Sequence, residues 1–232
     1  MYTLYIGNKN YSSWSLRPWI LMTQLGIPFQ EVLVPFNEPG YPAFSSFSPT
    51  SKVPCLHDAA TRVWDSLSIA EYLAEKHKGV WPADATARAW ARSAAAEMHS
   101  GFSAIRNACS MTCGVRLKLN GISPDVKRDL DRLSTLWSEG LTRFGGPFLA
   151  GPAFTAVDAF YCPVAFRVQS YGLELPQPAA DYVKRLLSLE GMKAWYAAAL
   201  KEPWRDLPHE EEIVSMATVT QDLRVKPAKQ PA

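Results

Sequence analysis

The spacing of apolar positions changes character near residues 79–85. Before that point short β-rich runs alternate with helical ones. Tyr2 to Ile6 alternates and is rich in β-formers, which predicts a strand. Leu16 to Leu25 is apolar with a helical pattern, and Gly26 followed by Pro28 stops it. Phe29 to Val34 predicts a second strand. From Phe36 to Ser51 the run of Pro39, Gly40, Pro42 and Pro49 marks a loop, with a helical turn near Ala43 to Phe47. Val53 to His57 and Thr61 to Trp64 predict two short strands around an Asp-Ala-Ala turn. Ser66 to Lys76 predicts a helix with Leu67, Ala70 and Leu73 on one face. The expected order is β-α-β-loop-β-β-α.

Gly79 and Pro82 punctuate the change, and beyond them the pattern is helical with no strand expected. Helices are predicted at Ala85 to Met111, Pro124 to Phe144, Ala156 to Tyr171, Pro178 to Leu187 and Gly191 to Leu200. Thr155 and Asp158 stand three apart before an apolar run, the spacing of a helix cap whose carboxylate reaches back. From Arg205 the pattern weakens. The expected organisation is an α/β domain over 1–80, a helical domain over 86–205, and a partly disordered extension over 206–232.

Composition narrows the class. The 232 residues are 47% hydrophobic and 20% charged, enough apolar material for a packed core. Lys plus Arg is 24 against 22 for Asp plus Glu, a net charge of +2, so the chain lacks the basic balance of a nucleic-acid or membrane-surface binder. No apolar stretch reaches the ~18 residues of a membrane span. The first residues carry no basic segment of a secretory leader. Four cysteines in this length make no disulfide framework, and a cytoplasmic protein with reduced thiols is expected. Cys109, Cys113 and His99 lack the further ligands of a metal site, so no metal is expected.

Three short constellations carry chemistry. In Tyr11-Ser12-Ser13-Trp14-Ser15-Leu16-Arg17-Pro18, Pro18 confines a regular helix to begin at about Ser15 or later. Ser12 and Ser13 then precede its positive end, where hydroxyls can cap the helix or donate to an anion such as a thiolate. In Ser51-Lys52-Val53-Pro54-Cys55 the proline sits at a strand start, where an ordinary trans bond and a cis bond both fit. Asp65-Ser66 opens the next helix. The pair suits plain capping, and it also suits a zwitterion, with the hydroxyl and helix end on a carboxylate and Asp65 on an ammonium.

Together these three features resemble a glutathione S-transferase, and the helical second half with its Thr155–Asp158 pair resembles that superfamily's C-terminal domain. Ser12-Ser13-Trp14-Ser15 is similar to the serine turn of the serine-type zeta class, with Trp14 where that class has Cys. The resemblance implies a thioredoxin-like N-terminal domain plus an all-α C-terminal domain. It implies glutathione as co-substrate and a homodimer. Residue by residue, it implies Ser12 on the glutathione sulfur, with Tyr11 as rival and Ser13 beside them. Val53 would pair with the cysteinyl backbone next to a cis Pro54. Asp65 and Ser66 would hold the γ-glutamyl end, Lys52 the glycyl region, and Trp14 would pack beside the thiol. His99, Phe102 and Arg106 would belong to the substrate pocket. The implied activity is conjugation of glutathione to a small electrophile, as in detoxification. Alternatives are isomerisation or peroxide reduction on the same site, or a binding protein without turnover.

Overall fold

The computed structural model describes residues 1–36 and 40–226. Pro39 of the predicted loop lies outside the described residues, as do residues 227–232. The N-terminal unit follows the predicted order: β1 (Tyr2–Ile6), α1 (Ser13–Gln24), β2 (Phe29–Leu33), a short 3-10 helix (Pro42–Ser46), β3 (Cys55–Asp58), β4 (Thr61–Val63) and α2 (Ser66–Lys76). The sheet order is β2-β1-β3-β4. β1 and β2 run parallel because α1 makes the crossover, while β3 and β4 form a hairpin antiparallel to β1. Leu4, Ile6, Cys55 and Leu56 are fully buried in this sheet, and Leu16, Ile20, Ile69 and Leu73 of the two helices are fully buried with them. The unit is thioredoxin-like.

α1 begins at Ser13, two residues before the predicted limit, and runs through Pro18. The first turn is fixed from outside the helix ladder. Ser12 caps it by accepting the Ser15 N–H at 3.3 Å, and the Gly7 N–H donates to Ser15 Oγ at 3.1 Å. That local network holds residues 13–17 helical although Pro18 cannot donate to the ladder.

The second part comprises α3 (Ala85–Ser100), α4 (Ser103–Ala108), β5 (Val115–Leu119), α5 (Pro124–Arg143), α6 (Ala156–Tyr171), α7 (Ala179–Ser188), α8 (Glu190–Leu200), α9 (Leu207–Met216) and β6 (Ala217–Asp222). α6 is the central helix, with nearly every side chain buried. Its N-terminus carries the predicted cap: the Thr155 N–H donates to Asp158 Oδ2 at 2.9 Å. The Leu149 N–H and the Tyr182 hydroxyl donate to the other oxygen at 3.0 and 2.8 Å. None of the described helices is long and apolar enough to cross a membrane. All four cysteines are buried free thiols.

Two expectations are corrected, and the described part of a third region proves to be ordered. The predicted helix from Ala85 to Met111 is broken at Gly101 and Phe102. A Cβ on Gly101 would lie 2.7 Å from the Glu97 carbonyl oxygen, and Phe102 turns the chain at φ 53°. The helical part also contains an antiparallel ribbon, β5 with β6, whose register shifts between Arg116 and Leu117. The extension expected to be partly disordered over 206–232 carries α9 and β6. Asp206 caps α9, and the ribbon supplies backbone partners to a segment whose side chains are mostly polar.

The turn joining β1 to α1 is held by residues far along the chain. The buried Glu202 carboxylate accepts the Lys9 and Asn10 N–H groups at 2.6 and 3.1 Å. Trp195 Nε1 donates to the Lys9 carbonyl at 2.8 Å. The Asn10 side-chain oxygen accepts the Cys113 and Gly114 N–H groups at 3.0 and 2.9 Å. Within the turn, the Asn8 carbonyl accepts the Tyr11 and Ser12 N–H groups at 3.2 and 2.8 Å. Burial raises the Glu202 carboxyl above the ordinary carboxylate value, against the pull of its two N–H donors. Glu202→Ala leaves both N–H groups buried and unpaired. We expect it to cost roughly 2–5 kcal/mol of stability, read by urea denaturation, and Glu202→Gln to cost less. An unchanged midpoint in the alanine variant would remove Glu202 from this role.

Candidate functional site

A cleft of about 310 Å³ opens between the N-terminal sheet and the helical part. On the sheet side it is lined by Tyr11 to Trp14, Lys52 and Val53, and by the aromatic group Phe36, Tyr41 and Phe44. Across it stand Arg106 of α4, Arg167 of α6, Met111 and His209 of α9. A second recess shares Trp14, Lys52 and Val53 with the first, and runs on past Pro54 to Trp64 and Asp65. The two form one groove from the start of α2 to the start of α1.

At the start of α1 the three candidate hydroxyls differ in what they hold. The Ser12 hydroxyl donates to Ser15 Oγ at 2.7 Å, so its proton is engaged inside the cap. The Tyr11 hydroxyl donates to Glu210 Oε1 at 2.6 Å and accepts from Arg224 Nη1 at 3.1 Å. Burial, reinforced by Glu210, pushes the Tyr11 phenol well above its ordinary pKa. Ser13 is the first residue of α1 and lines the cleft, and its hydroxyl has no partner among the described residues.

Along the groove the Val53–Pro54 peptide is cis. Among the described residues the Val53 N–H and C=O have no hydrogen-bond partner. At the start of α2, Asp65 accepts the Leu67 N–H at 3.0 Å and meets His99 Nε2 at 3.3 Å. Ser66 is fully buried, and its Oγ has no partner. A buried hydroxyl without a partner is costly, which makes this position notable.

Two guanidinium groups lie over the Trp14 ring, Arg17 at 4.1 Å and Arg106 at 4.9 Å from its centre, with His99 edge-on at 5.2 Å. Burial lowers the His99 pKa; the Arg17 and Arg106 charges add to that effect, and Asp65 opposes them. Arg106 donates to the His99 and Gly101 carbonyls at 3.4 and 3.3 Å. Arg167 Nε donates to the Cys109 carbonyl at 2.7 Å. Burial, with the Arg106 charge adding to it, depresses the Arg17 guanidinium to about 9 and that of Arg167 to about 10. Both remain charged at neutral pH.

The structure thus gathers Tyr11, Ser12, Ser13, Trp14, Lys52, Val53 and Arg106 around the cleft, with Pro54 and Asp65 in the adjoining recess. Phe102 lines neither: it is buried at the break between α3 and α4, which corrects its assignment to the pocket. Ser66, buried beside Asp65, and His99 also line neither, and His99 reaches the groove through Asp65 and Trp14. Sequence reasoning missed Arg167, Tyr41 and His209. Arg167 had a signal: it is the one basic residue in the apolar run of α6. His209 had none, because α9 was not expected. Its Nδ1 bonds Asp206, which also accepts the Tyr41 hydroxyl at 3.2 Å. Among the described residues no group of three His, Cys, Asp or Glu side chains could hold a metal.

Residues 11–76 match the family model of the glutathione S-transferase N-terminal domain. Solved structures similar to this chain include a glutathione transferase homolog from Burkholderia GL BGR1 with bound glutathione, at 20% identity. The match covers 85% of this chain and 97% of that one, with a TM-score of 0.63. Glutathione S-transferase isozyme E7 from Drosophila melanogaster matches at 18% identity over 93% and 97% of the two chains, with a TM-score of 0.65. The theta class glutathione S-transferase from Xanthomonas axonopodis pv. citri, with glutathione bound, matches at 19% identity over 84% and 96%, with a TM-score of 0.61. The start of α1, the Val53–Pro54 strand entry and the start of α2 all fall inside the matched segment, and the chain has the two-part fold of these structures, a thioredoxin-like N-terminal domain followed by a helical one.

Proposed function

We propose that the protein is a glutathione transferase that joins the thiolate of glutathione to a small electrophile. The observation that carries this reading is the groove itself. It runs from Asp65, whose neighbour Ser66 has a buried, unpartnered hydroxyl, past the free backbone of Val53, to a free hydroxyl at Ser13. In this reading the γ-glutamyl carboxylate meets Ser66 and the N–H groups that open α2, and the ammonium meets Asp65. The cysteinyl backbone pairs with Val53 as an added strand, and Lys52 faces the glycyl carboxylate. The sulfur then lies at the start of α1.

A free thiol has a pKa near ~8.5, so little of it is thiolate at neutral pH. The positive end of α1 and one hydroxyl donor favour the anion, and a shift of about two units corresponds to roughly 2.7 kcal/mol. Ser13 is the donor supported by the hydrogen bonds, since Ser12 is committed to Ser15 and Tyr11 to Glu210. The thiolate attacks the electrophilic carbon. A C–S bond forms, the bond to the leaving group breaks, and that group departs with the electron pair. The protein contributes position and electrostatics while glutathione contributes the nucleophile. We also propose a homodimer; a monomer mass by light scattering at micromolar concentration would exclude it.

Turnover of 1-chloro-2,4-dinitrobenzene with glutathione is the direct test, and its absence with several aryl halides would sink the transferase reading. In the thiolate absorbance titration of bound glutathione, Ser13→Ala is expected to raise the pKa by about one unit or more. Ser12→Ala is expected to cost ~1 kcal/mol of stability with a smaller titration shift. The opposite ranking returns the role to Ser12, and a shift only in Tyr11→Phe makes the site tyrosine-type.

Neutral His99 leaves the Asp65 carboxylate available to an ammonium. Its lowered pKa means that it gains charge only as pH falls below its ordinary value of about 6.5. The stabilisation from keeping it neutral is therefore present above that value and lost on acidification. Glutathione affinity is expected to fall on the acid side in the wild type and to flatten in His99→Asn. Identical acid limbs in the two proteins, measured by calorimetry, would refute the coupling.

A further inference from the structure

Three guanidinium groups converge where the helical part meets α1: Arg17, Arg106 and Arg167. None forms an ion pair among the described residues; the ion pairs of the neighbouring Glu97, Glu71 and Asp65 go to Arg132, Arg92 and His99. Arg17 and Arg167 are almost wholly buried, and Arg17 Nε and Nη1 have no partner at all. Mutual repulsion shows in all of their depressed basicities save that of Arg106, where burial alone acts. Burying one unpaired cation is costly, and placing three together compounds the cost. Yet each is held in place: Arg17 and Arg106 by the Trp14 ring, Arg106 by two carbonyls, Arg167 by the Cys109 carbonyl. Asp65 acts on Arg17 from the adjoining recess, but no carboxylate pairs with any of the three among the described residues, and a fixed, net positive wall of this kind suits an anion.

The wall faces the cleft. Arg106 and Arg167 line it, and no Asp or Glu is among the residues that do. The opposite side presents Phe36, Tyr41 and Phe44, flat apolar surfaces suited to a planar molecule. The two carboxylates of glutathione are spoken for in the proposed binding mode, one at Ser66 and one near Lys52, both on the N-terminal side of the groove. We propose that the helical side of the cleft is an anion subsite, in which Arg106 and Arg167 grip a carboxylate carried by a small aromatic electrophile. Arg17, behind Trp14, adds to the field without touching the ligand. Naming the electrophile class in this way rests on the transferase reading, whereas the anion subsite itself does not.

The test separates the two. Binding of 3-nitrobenzoate and of 3-nitrobenzamide to the glutathione-saturated protein is measured by calorimetry, for the wild type, Arg106→Gln and Arg167→Met. Turnover of 4-chloro-3-nitrobenzoate and its amide is measured alongside, each corrected for its uncatalysed rate. The benzoate is expected to bind about tenfold or more tightly than the amide, and the preference is expected to collapse in both variants while glutathione affinity holds. Arg106→Lys is expected to keep part of the preference. Should Arg167→Met fail to fold, the less buried Arg106→Gln decides alone. Equal binding of benzoate and amide to the wild type overturns the subsite. So does a variant that loses glutathione affinity while keeping the benzoate preference, because the arginines then serve the co-substrate. An arginine-dependent benzoate preference with no turnover of either halide upholds the subsite and removes the transferase reading instead.

Discussion

The six residues between β1 and α1 cannot satisfy their own backbone. A turn this tight leaves N–H and C=O groups pointing outward, and in this fold outward means into the helical part. Glu202, Trp195 and the Cys113 N–H supply the missing partners, while the Asn8 and Asn10 side chains accept N–H groups of Phe36, Cys113 and Gly114 and so tie the turn to its neighbours. The start of α1 inherits its position from this arrangement. Ser12 caps the helix where it does because the Asn8 carbonyl fixes the Ser12 N–H, and of the two serines that line the cleft Ser13 is the one whose hydroxyl is not engaged with Ser15. The catalytic candidates are therefore placed by groups almost two hundred residues away, and the helical part acts as scaffold for the turn as well as wall of the pocket.

Much of the N-terminal unit was legible in the sequence because its elements are short, periodic and separated by glycine and proline. α2 runs over the predicted residues, and β1 does as well. The same punctuation marked the passage to the helical part. The start of α1 was less legible, since the Pro18 rule considers only the helix ladder and the first turn is held by side chains instead. The ribbon was hidden for a different reason. Val115 and Leu117 alternate with Arg116 and Lys118, but over five residues that pattern carries little weight. β6 has one buried residue, Ala217, and is a strand because β5 offers it a ladder.

The site was legible where local sequence rules act and opaque where the tertiary structure decides. The serine turn, Val53-Pro54 and Asp65-Ser66 are each contiguous, so they can be read as words. Which of three adjacent hydroxyls is free depends on Glu210 and Ser15, and no spacing rule foretells the first of these. The arginine wall is assembled from α1, α4 and α6, one residue from each. Trp14 ties two of the three together, with the guanidinium groups of Arg17 and Arg106 both over its ring.

The ribbon bears on how the molecule comes into being. Tyr11 is tied to Glu210 and Arg224, and β6 closes against a strand about a hundred residues earlier. These are among the most distant pairings the chain makes, and distant pairings form late. During synthesis the N-terminal sheet leaves the ribosome long before Glu202, α9 and β6 exist. Until they emerge, the turn ahead of α1 lacks Glu202 as the partner of its Lys9 and Asn10 N–H groups, and the cleft lacks His209. A nascent chain can thus hold a thioredoxin-like unit without holding a binding site, and the site is the last thing the polypeptide completes.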